Sequence, residues 1–238
     1  MEFSVLIFIA SMMSVTLGAV LQASTGLGAG LIVVPLLALI NLEFIPGPII
    51  FASMVLSFLM VWRGRAHIKF TNMPILLIAL LVGMALGAYS LAWFTKDDLG
   101  VIFGSIILLA VAVSFLGINV KHTPATLITG GFLSGLMGAM TSIGAPVLAL
   151  LYQREEAEIL RATLGFLYFF SSMVMLLFLH LAGYFSSSHV LMGFWLMPGF
   201  ILGYWGSGRV SAWLDRGYSR LAVLIISSLS AIILIVKS

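Results

Sequence analysis

An all-α integral membrane protein of two inverted repeats, each a glycine-broken helical hairpin followed by three transmembrane helices, is the fold class this sequence predicts. Three observations carry it. Of the 238 residues 62% are hydrophobic and only 8% charged, against about 25% charged in a soluble domain. Long apolar runs divide the chain, and its charges lie between them or at their ends. Finally, T-G-L-G-A-G at residues 25–30 is answered by T-S-I-G-A-P at residues 141–146, an offset of 116 positions that also relates Gly83 and Gly87 to Gly199 and Gly203, and Leu86 to Leu202. Two halves that each open with a broken apolar segment are the pattern of a transporter built from internal repeats. A water-soluble globule is excluded, because a charge in hydrocarbon costs at least about 2.5 kcal/mol and the charges here avoid the apolar runs.

The first run, residues 3–40, carries no charge. As one helix it would be about 57 Å long, nearly twice the roughly 30 Å of hydrocarbon. Gly26, Gly28 and Gly30 each disfavour helix by about 1 kcal/mol relative to Ala, so a hairpin is expected, with one arm ending near Thr25 and the other starting near Gly28. A secretory signal over residues 1–24 is the rival reading, but the start M-E-F-S lacks a basic n-region. Spans 44–62, 73–94 and 99–118 follow, then 161–183, 190–208 and 218–236, each of 19 to 23 residues and long enough to cross as a helix. Barrel strands would be about half as long and would alternate in polarity. Between the two sets lies 126–152, broken at Ser142, Gly144 and Pro146, where Pro146 suits the first turn of a new helix. The chain is expected to form one transmembrane domain, with repeat one over 1–118, repeat two over 119–238, and 8 to 10 membrane segments.

Loop charge orients this arrangement. If each hairpin crossed once, Lys and Arg would divide almost evenly between the two faces. If each hairpin returns to its own side, one face collects Arg63, Arg65, Lys69, Lys121, Arg154, Arg161, Arg209, Arg216 and Arg220, and only Lys96 and Lys237 lie opposite. That bias fits the positive-inside rule and places both termini outside the cytoplasm. Each half then changes sides an odd number of times, so the second is inverted relative to the first. The net charge of +3 is a topology signal in such a chain; it implies no nucleic acid.

In an inverted pair the hairpin tips approach from opposite faces, and the second arms begin around Gly28 and Gly144. A helix start presents unpaired N–H groups and the positive end of the dipole, so it favours an anion without a charged side chain. Gly26, Gly28, Gly30 and Gly144 let a ligand reach the backbone, while Thr25, Thr141 and Ser142 offer hydroxyls. Gln22, one turn before Thr25, and Gln153, past the second arm, are the nearest other polar groups. Together these residues describe a site for a small oxyanion. Close helix packing is the alternative role of glycine; it is expected of Gly83, Gly87, Gly199 and Gly203, whereas the recurrence of Thr beside the tip glycines favours a ligand. G-x-G-x-G also resembles a dinucleotide loop, but no strand-turn-helix context surrounds it.

Arg161, in R-A-T-L-G-F, stands at a span entrance, where its planar fork can reach an oxyanion or anchor the helix end. Arg154 reads as a loop charge paired with Glu155, Glu156 or Glu158. His180 is the titratable side chain well inside a span and the candidate for a coupling proton; an interfacial histidine is the alternative. No carboxylate lies inside a span, so the usual acidic proton relay is missing. With no Cys and no helical His pair, the thirteen Met residues read as packing groups, and neither metal nor cofactor is expected.

Gly18, the T-G-L-G-A-G stretch and Pro35, answered by G-G-F-L-S-G-L-M-G-A-M-T-S-I-G-A-P from Gly130, resemble the paired glycine-rich signatures of the TauE/SafE family of membrane permeases. The resemblance covers the whole chain in length, repeat layout and segment order. It implies transport of sulfite or organosulfonates, anions that the helix-start argument favours independently. The sequence departs from the commoner signatures at Ala29, Ser142 and Ala145.

The function expected is therefore that of a permease moving a small sulfur-containing oxyanion across the cytoplasmic membrane by alternating access, with the bilayer and the anion as partners and a homodimer as an allowed assembly. A channel-like anion pore using the same glycine-lined site is the alternative. An intramembrane enzyme is not expected, since H-E-x-x-H and paired buried carboxylates are absent from the sequence and no Ser stands with a His at credible helical spacing inside a span.

Overall fold

The protein is seen as a computed structural model that describes residues 5–26, 29–116, 120–214 and 218–237. The described residues form ten α-helices and no strand: α1 (Val5–Thr25), α2 (Gly30–Ile40), α3 (Gly47–Gly64), α4 (Met73–Ser90), α5 (Lys96–Leu116), α6 (Pro124–Thr141), α7 (Ala145–Tyr152), α8 (Ala157–Leu181), α9 (Ser187–Leu214) and α10 (Tyr218–Lys237). Six are long and apolar enough to cross a membrane, and α1, α3, α4, α5, α8 and α9 supply them. Their outer surfaces are apolar, with Leu6, Trp205 and Phe115 each at least 69% exposed. Such a surface suits lipid and would be a liability in water.

Both long hairpin arms end where the sequence places the break, at Thr25 and Thr141. The stopping residue occupies the same place in each: Gly26 has φ +77° and Ser142 has φ +65°. A left-handed residue turns the chain while its N–H still reaches back, here from Gly26 to Gln22 O at 2.8 Å and from Ser142 to Gly138 O at 2.7 Å. Short arms follow. The 11 residues of α2 and the 8 of α7 reach only about 16 and 12 Å, half the hydrocarbon or less, whereas α1 has 21 residues and α6 has 18. The arms are thus unequal, a point that glycine spacing left open. The second arm begins at Gly30 after Ala29, later than expected, and Gly28 lies outside the described residues. Prolines set several starts: Pro48, Pro74, Pro124 and Pro146 all sit in the first turn of their helices, where the missing N–H has no intrahelical partner to lose. Thr123 and Thr126 cap α6 reciprocally.

Helix α8 corrects one boundary. It begins at Ala157, before the expected 161, with Glu158 in its first turn, where an acidic side chain complements the helix dipole. Arg161 is therefore one turn inside the helix rather than at its entrance.

Helix α4 lies along α6 and α1 along α9, while α3 packs on α8 and α5 on α10. Exchanging each helix for the one five places along the chain turns the first pair of contacts into one another and returns the last two to themselves. Glycines make the first two crossings close. A Cβ on Gly83 would lie 2.1 Å from Phe132 O and one on Gly135 2.2 Å from Leu80 O, so in α4·α6 backbone meets backbone. In α1·α9 a Cβ on Gly203 would lie 2.4 Å from Ala19 Cβ and 2.6 Å from Thr16 O. The packing role expected of Gly83, Gly87, Gly199 and Gly203 agrees with these contacts.

Candidate functional site

Between the hairpins lies a cavity of about 80 Å³, room for a few waters or one small anion. Its floor is the meeting of the two tips. A Cβ added to Gly30 would lie 2.9 Å from Ser142 O and 3.5 Å from Ile143 Cγ1, so only a glycine allows α2 to start against the second tip. Gln22, Ala29, Gly30, Ser142, Gly144 and Ala145 line this end, and Ser53 and Ser57 of α3, Ser134 of α6, and Tyr168, Ser171 and Ser172 of α8 line the rest, with Leu80, Met84 and Phe200 as apolar walls. No Asp, Glu, Lys or Arg is among these residues.

The two tips hold their arms together differently. In the first, Ala29 N–H donates to Gln22 Oε1 at 2.6 Å, and Gln22, itself 5% exposed, turns its Nε2 toward Met60 Sδ at 4.0 Å. The Ala29 amide at the start of α2 is thereby taken by a neutral side chain. In the second, Ser134 Oγ donates to Gly144 O at 2.8 Å, which satisfies a carbonyl, and the start of α7, where Gly144 and Ala145 border the cavity, has no side-chain cap. Ser142 Oγ donates to Pro46 O at 3.2 Å, tying this tip to the start of α3. The two helix starts are not equivalent donors, as the repeat alone would suggest.

Several hydroxyls in the cavity are already engaged: Ser53 with Ile50 O at 3.0 Å and Ser171 with Leu167 O at 2.5 Å. Ser57, 1% exposed, and Ser172, 8% exposed, line the cavity with hydroxyls that no group among the described residues engages. Ser53, Ser57, Ser171 and Ser172 are not among the site residues expected from the sequence. Their signal was present as an i, i+4 serine pair in one apolar span and a Ser-Ser step in another.

A second, larger cavity of about 290 Å³ opens beyond the first tip, lined by Ser24, Met60, Arg63, Gly64, His67, Glu158, Arg161 and Tyr204 among others. Met60 lines this cavity and Gln22 the first, so their contact lies in the wall between them. Tyr168 reinforces that wall by donating its hydroxyl to Gly26 O at 3.0 Å. Arg161 Nη1 donates to Ser24 O at 3.3 Å.

Of the residues singled out in the sequence, the structure thus brings Gln22, Gly30, Ser142 and Gly144 together, with Gly26 in the adjoining wall. It places Arg161 in the second cavity. Thr141 is wholly buried, its hydroxyl donating to Met137 O at 2.8 Å and accepting from Ile143 N–H at 3.3 Å; Thr25 donates to Leu21 O at 2.8 Å. Neither lines a cavity, since both hydroxyls serve the helix ends. Gln153 is exposed beyond α7. His180 sits at the far end of α8 from Arg161, with Nδ1 2.9 Å from Phe185 O, and borders neither cavity. A histidine near a helix C-terminus that finds a loop carbonyl needs no buried partner.

Neither a curated protein nor a solved structure matches this chain. A family model does: the one described as sulfite exporter TauE/SafE matches residues 11–234, nearly the whole length. With its apolar helices, its paired glycine-broken hairpins and that match, the chain belongs to the TauE/SafE family of membrane permeases.

Proposed function

We propose that the chain is a carrier for a small sulfur oxyanion, sulfite or an organosulfonate, held between the hairpin tips. The observation that supports this most is the uncharged, hydroxyl-rich cavity of about 80 Å³ at the contact of Gly30 with Ser142, bordered by the uncapped start of α7. Amide and hydroxyl donors complement the oxygens of a sulfonate, and the positive end of a helix favours its charge. Their neutrality limits how tightly the anion is held, which a carrier needs in order to release it.

Alternating access between two inverted repeats, 1–118 and 119–238, is the mechanism we favour, with both termini outside the cytoplasm. It draws support from the exchange of helix partners between the halves and from a difference in register between the glycine crossings. Thr16 is the repeat counterpart of Phe132, yet Thr16 O faces Gly203 whereas Phe132 O faces Gly83. The two crossings differ by four residues, about one helical turn. One-turn shifts of a packed helix past its neighbour are a known way for a protein to hold two discrete states.

Ser57→Ala combined with Ser172→Ala tests the binding site. The change removes two hydroxyls that the fold does not use, so thermal stability should stay within about 0.5 kcal/mol of the parent. Hydrogen bonds to an anion contribute about 1.5–3 kcal/mol each, so sulfite affinity should fall at least about tenfold. Unchanged sulfite affinity in folded protein would remove the central cavity from consideration.

A further inference from the structure

We infer that the larger cavity is a second, separate anion site, in which Arg63 and Arg161 hold a sulfur oxyanion before it reaches, or after it leaves, the hairpin tips. The inference rests on the reading of the chain as an anion carrier and adds a binding step to it.

Charge accounting at this end of the molecule carries the argument. Lys69 Nζ lies 2.6 Å from Glu155 Oε1, Arg65 stacks over Trp62 at 5.1 Å, and Glu158 Oε2 lies 3.6 Å from His67 Nε2. Glu155 thus has an ion-pair partner, while Glu158, which also borders the cavity at its exposed side, has a histidine nitrogen that is charged only when protonated, so one carboxylate faces two guanidinium groups. Arg63 and Arg161 both border the cavity, and among the described residues neither has a carboxylate in ion-pair range. A guanidinium carries five N–H donors. Arg161 uses one of them, in the 3.3 Å bond to Ser24 O, and Arg63 donates none to the described residues. Two unneutralised forks on one cavity wall are a strong preference for an anion, because Arg matches the planar spacing of two oxyanion oxygens.

Size points the same way. Ser24 borders this cavity, 7% exposed; its hydroxyl, without a hydrogen-bond partner among the described residues, is closed off from the cavity and joins a ligand only by rotating about its Cα–Cβ bond. With a volume of about 290 Å³ against about 80 Å³ at the tips, the cavity accepts an organic sulfonate with its substituent, while the central cavity limits what passes.

The site also acts on the wall that closes the inner cavity. An anion that draws the Arg161 guanidinium into the cavity competes with Ser24 O for it, and the Ser24 carbonyl belongs to the same tip that Tyr168 holds at Gly26. Occupying this site therefore loosens one of the side-chain ties on the first hairpin, which Tyr168, Met60 and Ser227 also hold.

Equilibrium binding of radiolabelled sulfite to the full chain in nanodiscs of phosphatidylcholine alone tests this, since no anionic headgroup then contributes. The parent should bind two anions per chain. Arg63→Gln with Arg161→Gln should bind one, or lose at least tenfold affinity at one of two sites, while Ser57→Ala with Ser172→Ala weakens the other. Arg63→Lys with Arg161→Lys keeps charge without the fork and should fall between. Should Arg161→Gln fail to give monodisperse protein, Arg63→Gln alone, at an exposed position, should still weaken one site tenfold. Stoichiometry and affinities equal to the parent's in the folded glutamine variants, or a parent that binds one anion insensitive to both arginines, overturn the second site. Loss of a site in the arginine variants with none in the serine variant keeps the second site and overturns the central one; a parent that binds no sulfite overturns both.

Discussion

Gly83 and Gly199 stand 116 positions apart, at the same place in α4 and α9, yet their surroundings differ. A Cβ on Gly83 would lie 2.1 Å from Phe132 O and 2.9 Å from Leu136 N, whereas on Gly199 the nearest atoms would be Val15 Cγ1 at 3.0 Å and Met12 O at 3.3 Å. At Gly83 backbone meets backbone; at Gly199 a valine side chain comes first, and the close backbone approach of the second crossing falls one turn later, where a Cβ on Gly203 would lie 2.6 Å from Thr16 O. A repeated G-x-x-x-G therefore specifies that two helices approach, and leaves their register to the rest of the fold. Four residues of register separate the crossings, and that difference is what a carrier caught in one of two asymmetric states should display.

The comparison breaks most completely if the halves are not inverted. Thr71 and Ser188 are exposed loop or helix-start residues that follow equivalent segments, and in a chain with no Cys each can be replaced by one reactive thiol. An impermeant thiol reagent added outside intact cells should label Ser188→Cys and not Thr71→Cys. Gly64 is a poor choice for such a probe, because a Cβ there would lie 2.7 Å from Ala162 Cβ. Labelling of both positions, or of Thr71→Cys alone, would reject the inverted arrangement.

Next in size is the energetic contrast between the crossings. Gly83→Ala should destabilise by about 3 kcal/mol, the upper range for overpacking against atoms that cannot move. Gly199→Ala should cost less than about 1 kcal/mol, since Val15 can adjust its rotamer. Thermal unfolding in one detergent compares them directly, and equal losses would mean that the register difference is not a property of the protein in solution.

The register itself can be measured with spin labels on equivalent exposed pairs, Leu17 with Leu202 and Leu133 with Leu86. A symmetric molecule would give equal distances. One turn of slip predicts distances unequal by up to about 5 Å, and alternating access predicts that saturating sulfite redistributes each pair between two values. A single shared distance that sulfite does not move would leave the carrier without its two states.

The smallest effects belong to the tips. Gly26 at φ +77° has Leu164 Cδ1 and Arg161 Cγ no nearer than 3.5 and 3.6 Å to an added Cβ, so Gly26→Ala should cost only the conformational penalty, about 1–2 kcal/mol. Its counterpart Ser142 already bears that penalty at φ +65°. Ser142→Gly relieves it but gives up the bond to Pro46 O, worth about 1 kcal/mol, and should leave stability within about 1 kcal/mol of the parent. A large loss in Ser142→Gly would assign the second tip's conformation to the hydroxyl instead of the backbone.

Gly144 is a poor position at which to test binding at the second tip. A Cβ on Gly144 would lie 2.3 Å from Ser134 O, so a bulky residue there would strain the hairpin before it crowded a ligand. Binding is therefore better tested through Ser57 and Ser172.

The sequence by itself determined that the chain is helical, roughly where its long helices lie, and the two break points. Charge avoids hydrocarbon, apolar runs of span length become helices, and glycine or proline interrupts them wherever the pattern stands, so Thr25 and Thr141 end their helices where local chemistry alone would end them. Near-coincidence of glycine with a repeated Thr was also enough to find Gly30, Ser142 and Gly144. Only the tertiary structure decided which faces converge. Ser57 and Ser172 are far apart in the chain, and nothing local distinguishes them from serines that bond their own helix; Thr25 and Thr141, conspicuous in the motif, turn out to serve that local purpose. Arg161 touches the first tip from the side of the second cavity, through Ser24 O, and His180 fell outside both cavities because a helix end carries it to a loop carbonyl. Periodicity and composition act over one or two helical turns, while a cavity is made by residues from α1, α2, α3, α4, α6, α7, α8 and α9 at once, whose mutual placement rests on long-range packing.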